Sequence, residues 1–119
     1  MTEVDALGAY TPKDEVVDGI PKAELWSLDM TLTEYILPRL KAFKSMERVG
    51  YPLLAGFDEE DATGQKLEWE YRLDKMIVGF EAMIRLTDGY EKTANEAVSR
   101  KLAKEGLALF AQHYSDLWD

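Results

Sequence analysis

The chain has 119 residues, with 14 Lys and Arg against 23 Asp and Glu, a formal net charge of −9, one His and no Cys. This excludes a disulfide framework, a thiolate metal site, a Cys nucleophile and a His-rich metal cluster, and it argues against a nucleic-acid binder, which needs a basic surface to neutralise phosphates. The length suits one domain with a modest core, and the absence of a membrane-length apolar run or a signal-peptide pattern predicts a soluble intracellular protein.

Residues 1–25 show no sustained periodicity. In "YTPKDEVVDGIPKAEL" Pro12, Gly19 and Pro21 punctuate the chain, so an irregular N-terminal segment is expected, with at most a short extended piece at Val16–Val17. A helical domain is expected over 26–119.

The period becomes helical at "LWSLDMTLTEYILPRLKAFKSMERVG", where Leu28, Leu32, Tyr35, Ile36, Leu40, Phe43 and Met46 recur three and four residues apart. Ser27 and Asp29 are candidate N-caps, and Gly50 with Pro52 ends the helix, which is expected near 28–49. Pro38 lies inside it. A proline removes one backbone donor and costs about 3 kcal/mol in a helix interior. The stripe resumes at Leu40, so a kink beginning around Glu34 to Pro38 is predicted, not a stop. Arg39 falls within the arc of Leu28, Leu32, Ile36 and Phe43. A buried unpaired guanidinium is very costly, so an ion pair is expected, with Asp74 as its partner. Lys41, Lys44 and Arg48 form a basic strip on the outer side of the helix. Together with Arg39 they are the candidate residues for holding a small anion.

The connector "YPLLAGFDEEDATG" has an apolar half, Tyr51 to Leu54, expected to tuck against the helices, and an acidic half, Asp58 to Asp61, expected to be solvated. A second helix is predicted near 66–87, with Trp69, Leu73, Met76, Ile77, Phe80, Met83 and Ile84 as its stripe. "TDGY" then stops it, and Gly89 is suited to the left-handed position after the last turn. A third helix is predicted near 91–117, with Leu102, Gly106, Leu109, Phe110, His113, Tyr114 and Leu117 inward and a thinner first half. Burying these stripes against one another predicts an all-α fold, a compact three-helix bundle with a Pro-kinked first helix.

Chemistry-bearing patterns are sparse. Glu70, Asp74 and Glu81 form an acidic stripe, but di-metal bundles draw on Glu-x-x-His pairs from facing helices, and the chain has no such pair. No metal or other cofactor is expected. His113 is read as a packing residue beside the third stripe, because no nucleophile or second ligand accompanies it. No catalytic residue is assigned. Trp69 is expected in the core. Trp26 and Trp118 are anchors: either they pack together and pin the C-terminus, or they stay exposed as contacts for a partner.

"WSLDMTL", "ILPRLKAFK", "GYP", "W…LDKMIVGFE", "GLALFA" and the terminal "LWD" occur in that order. The set resembles a family of small uncharacterised proteins encoded by tailed bacteriophages. The resemblance spans about residues 26–119. Thr87 to Arg100 is read as an insertion against that pattern, and Arg72 stands where an aliphatic residue is expected. The resemblance implies a phage origin and carries no activity and no catalytic residues.

These readings lead to an expected function: a non-enzymatic phage accessory protein in the cytoplasm of the infected bacterial host. It would bind a host or phage protein, for host-factor modulation or scaffolding, and would touch neither nucleic acid nor membrane. Three Trp and six Tyr in so small a domain also predict an exposed aromatic patch and a homodimer. The alternative is a small-anion or nucleotide-binding sink or sensor built on Arg39 and the basic strip.

Overall fold

A computed structural model describes residues 15–46, 52–58, 60–87 and 95–118, and these are mostly helical. They open on a small antiparallel ribbon, β1 (Val16–Val17) and β2 (Ile20–Pro21), with Val17 opposite Ile20. Asp18 and Gly19 between them have φ of 50° and 84°. Two consecutive left-handed residues make the turn whose twist matches a two-residue hairpin, and Asp-Gly is a favoured pair for it. The Lys22 N–H donates to the Glu15 carbonyl at 2.6 Å, and Lys22 Nζ meets Glu15 Oε1 at 2.9 Å. The short extended piece expected at Val16–Val17 is β1, and the rest of the described part of 1–25 is more regular than expected, with β2 and the start of a single helical turn, α1 (Ala23–Trp26). Residues 1–14 lie outside the described part.

Three longer helices follow: α2 (Leu28–Ser45), α3 (Ala62–Thr87) and α4 (Asn95–His113), the last continued by a 3-10 turn over Tyr114–Asp116. Ser27 does precede α2, but through its carbonyl, which accepts from the Met30 and Thr31 N–H groups; its side chain makes no cap bond. Asp29 Oδ1 accepts from the Met30 N–H at 2.9 Å. As the resumed stripe predicts, α2 runs unbroken through Pro38. It ends at Ser45, short of the expected 49, because Met46 turns extended with ψ of 156°.

α3 starts earlier than its apolar stripe. Asp61 Oδ1 accepts from the Gly64 N–H at 3.0 Å, an N-cap bond from the end of the acidic run. Gln65, one turn in, is buried and holds the connector down. Its Oε1 accepts from the Leu54 N–H at 3.0 Å and its Nε2 donates to the Asp58 carbonyl at 2.9 Å. Leu54 is buried beneath this clamp, as the apolar half of the connector leads one to expect, while Leu53 is exposed. The start expected for the third helix, near Glu91, and the candidate stop at Gly89 lie outside the described residues.

α3 is the central helix. α4 packs along it most extensively, α2 packs on it less, and α2 and α4 scarcely touch. Among the described residues there are thus four helices instead of three, and the two outer long ones leave a groove between them. α3 and α4 approach closest at Gly79 and Gly106, where a Cβ on either glycine would lie 2.6 Å from the other's Cα. Buried Ala82, Ser99 and Ala103 continue this small-residue seam. Lys75 Nζ meets Glu105 Oε1 across it at 3.3 Å, and this carboxylate holds the Lys75 ammonium above the ordinary lysine pKa. The core of Leu37, Leu40, Leu54, Trp69, Leu73, Met76 and Phe80 is centred on α3. Each such side chain gains about 1.5–3 kcal/mol on full burial.

Candidate functional site

The apolar arc of α2 is wider than α3 can cover. Thr33, Leu37 and Leu40 are buried, and the Thr33 hydroxyl is satisfied by the Asp29 carbonyl at 2.7 Å. Leu32 and Tyr35, on the neighbouring flank, are 50% and 60% exposed. That flank looks into the groove between α2 and α4.

The groove has two connected parts, of about 280 and 210 Å³, and Ile36 and Phe110 line both. The first lies against Asp29, Leu32, Phe80, Met83 and Leu107, and the second against Tyr35, Arg39, Leu40, Phe43 and Leu117. Phe110, on its α4 wall, is held between two other rings. Phe110 meets Phe80 edge-on at 5.2 Å between centroids, and Tyr114 meets Phe110 at 5.7 Å. Edge-to-face contacts of this kind add about 0.5–1.5 kcal/mol beyond burial and fix ring orientation. The lining is almost entirely carbon, and among the described residues that line it Asp29 and Arg39 are the charged ones.

Arg39 corrects one expectation. It is exposed, its Nη1 donates to the Tyr35 carbonyl at 2.9 Å, and its guanidinium lies 3.7 Å from the centroid of the Tyr35 ring. No bond joins it to Asp74. The helical wheel placed it correctly within the apolar arc, but that part of the arc faces the open groove and not α3. A guanidinium there keeps its hydration and stacks on an aromatic face, a contact worth about 0.5–1 kcal/mol when exposed. The Tyr35 carbonyl also lies next to that of Glu34, which loses its helical donor to Pro38. The cation thus bonds to the carbonyl one residue on from the one that Pro38 leaves without its helical donor.

The basic strip is corrected as well. Lys44 meets Asp74 at 3.4 Å and Lys41 meets Glu81 at 3.1 Å, so the flank expected to be outermost is the seam with α3. Arg39 lies on the opposite, groove-side flank. The structure therefore does not gather Arg39, Lys41 and Lys44 around one point, and Arg48 lies outside the described residues.

His113 is buried, 4% exposed, in a chain of polar contacts that links α3 to the end of α4. Glu68 Oε2 accepts from Arg72 Nε at 2.7 Å, Arg72 Nη1 lies 3.0 Å from His113 Nε2, and His113 Nδ1 lies 2.9 Å from Asp116 Oδ2. A guanidinium has only donors, so Nε2 accepts and the ring hydrogen sits on Nδ1, donating to Asp116. The ring also meets Trp69 edge-on at 5.1 Å. This gives His113 a packing and bonding role, and it gives the Arg72 guanidinium a partner on each side, Glu68 and His113. Nothing in the local sequence announces the chain, since Arg72 and His113 are 41 residues apart.

Trp26 and Trp118 are 61% and 56% exposed. Of the two alternatives open to them, the exposed one is observed. Leu117, not Trp118, packs inward at the end of the groove. Among the described residues no group of three or more His, Asp or Glu is placed to hold a metal ion, and no helix is long and apolar enough to cross a membrane. Comparison with protein-family models, with curated proteins and with solved structures gives no match for the chain.

Proposed function

We propose that this chain is a non-catalytic binding module that holds another polypeptide in the groove between α2 and α4. The observation that carries this reading is the uncovered half of the α2 apolar arc, with Leu32 and Tyr35 half or more exposed beside a carbon-lined channel floored by Phe80. The three long helices are in this view an incomplete bundle, and an amphipathic helix laid along the channel supplies the missing cover. Contiguous exposed apolar surface rimmed by polar groups marks interaction sites. In this reading the module is a phage-encoded accessory protein acting in the host cytoplasm, by modulating a host factor or by scaffolding, with the motif resemblance as the support for a phage origin. The anion-sink reading has less support, because Lys41 and Lys44 already answer to carboxylates of α3.

The test is a photo-crosslinking amino acid at Leu32, with Lys66 as an exposed control position, in cells of the bacterial host. Cross-linked polypeptides specific to position 32, identified by mass spectrometry, are the expected result. A pattern at 32 no different from that at 66 overturns the reading.

A further inference from the structure

We propose that the occupant of the groove is a second copy of this chain, docked α2 against α2 about a twofold axis passing near Glu34. The inference rests on the protein-binding reading of the same groove and adds the identity of the partner.

Charge distribution singles out this occupant. A chain of net charge −9 repels its own copies overall, yet among the described residues the groove carries one carboxylate and one guanidinium, Asp29 and Arg39. A strongly basic or strongly acidic partner would find a single opposite charge there. Asp29 and Arg39 lie ten residues apart on one helix, about 15 Å along its axis, too far to pair with each other. Two α2 helices run antiparallel and centred on Glu34 bring residue 29 of one protomer level with residue 39 of the other. The twofold then makes that pair twice. A C2 interface must be self-complementary, with the same patch on both sides. α2 meets that condition: apolar Leu32, Tyr35 and Ile36 at the centre, opposite charges at equal distances on either side.

The exposed area has the right scale. Leu28, Leu32, Tyr35, Leu107 and Tyr114 are between 37% and 69% exposed. With roughly 150–250 Å² for each aromatic side chain, they and the groove walls offer several hundred Å². That approaches the roughly 800 Å² per partner of a standard interface.

The test is sedimentation velocity with light scattering across a concentration series, each variant checked for folding by far-UV circular dichroism. The native chain is expected to dimerise and Leu32→Glu to be a folded monomer. Asp29→Arg and Arg39→Asp should each weaken the dimer by about tenfold, and the double variant should recover most of that loss, since only a contact between protomers reunites the swapped charges. The inference is overturned by a native chain that stays monomeric throughout, by a Leu32→Glu chain that still dimerises, or by single charge variants that weaken the dimer without rescue in the double. A monomeric chain that still cross-links another polypeptide from position 32 ends the second-copy inference and leaves the protein-binding reading standing. The absence of any position-specific cross-link ends both.

Discussion

Gly79 of α3 and Gly106 of α4 face each other backbone to backbone, so that the Cβ either one lacks would lie 2.6 Å from the other's Cα. The Lys75 carbonyl stands 2.7 Å from the Gly106 position and the Leu102 carbonyl 3.0 Å from that of Gly79. No side chain can rotate away to make room, because the obstacles are main chain. Helix propensity alone favours Ala over Gly by about 1 kcal/mol. Steric overlap opposes it here by about 1–3 kcal/mol or more. Gly79→Ala and Gly106→Ala are therefore each expected to lower the melting temperature, the reverse of the propensity effect. Calorimetry on the two variants reads the sign directly.

The Arg72–His113–Asp116 chain predicts a tautomer. In nitrogen-15 spectra near neutral pH, His113 should show a protonated Nδ1 and a bare Nε2 that accepts from Arg72. His113→Gln cannot bridge Arg72 and Asp116 with a ring and loses the edge contact with Trp69. A stranded buried group costs about 1–3 kcal/mol, and denaturant unfolding should show a loss in that range. Binding through the groove should be unaffected.

Gln65 is held by one donor and one acceptor of the connector, so its two bonds can be separated. Gln65→Glu keeps an oxygen for the Leu54 N–H and loses the donor to the Asp58 carbonyl. Gln65→Ala loses both. Hydrogen exchange at the Leu54 amide should accelerate strongly in the Ala variant and much less in the Glu variant, with the stability loss for Ala at about 1–3 kcal/mol. Equal acceleration in both would show that the connector is held by Leu54 packing alone.

Melted at a concentration low enough to keep the chain monomeric, Arg39→Ala should leave stability within about 0.5 kcal/mol of the native chain, as surface changes do, because the guanidinium is exposed and bonded only within its own helix turn among the contacts described. A thermal melt separates this from the loss of about 3–5 kcal/mol that breaking a buried ion pair entails.

The apolar periods of α2, α3 and α4 were readable in the sequence because a 3.6-residue stripe depends only on spacing. Trp69, Leu73, Met76 and Phe80 all proved to be core on that ground. What spacing does not contain is the direction in which a stripe is covered. Leu32 and Arg39 share an arc, and the arc faces an opening left between α2 and α4, two helices that scarcely touch. Nor does spacing show that Lys41 and Lys44, though partly open to solvent, pair with carboxylates of α3. Asp61 and Gln65 were hidden for another reason: polar residues in a polar stretch give no period, and their roles depend on bonds to Gly64, Leu54 and Asp58. The Asp18-Gly19 hairpin carried a local signal in its two turn residues, but the flanking strands are only two residues each, too short for alternation to show.

The unequal attachment of the two outer helices to α3 has a dynamic consequence. α4 is locked by backbone contact and a buried polar chain. α2 is held by a few leucines and by Lys41–Glu81 and Lys44–Asp74, pairs open enough to solvent to contribute only about 0–1 kcal/mol each. Native proteins open in cooperative units whose free energies follow such differences. The α3–α4 hairpin is expected to persist longest and α2 to lift away first. Under native conditions the α2 amides should therefore exchange with solvent through a partial opening, while those of α3 and α4 should wait for global unfolding. A chain seated in the groove would slow that opening before it changed anything else.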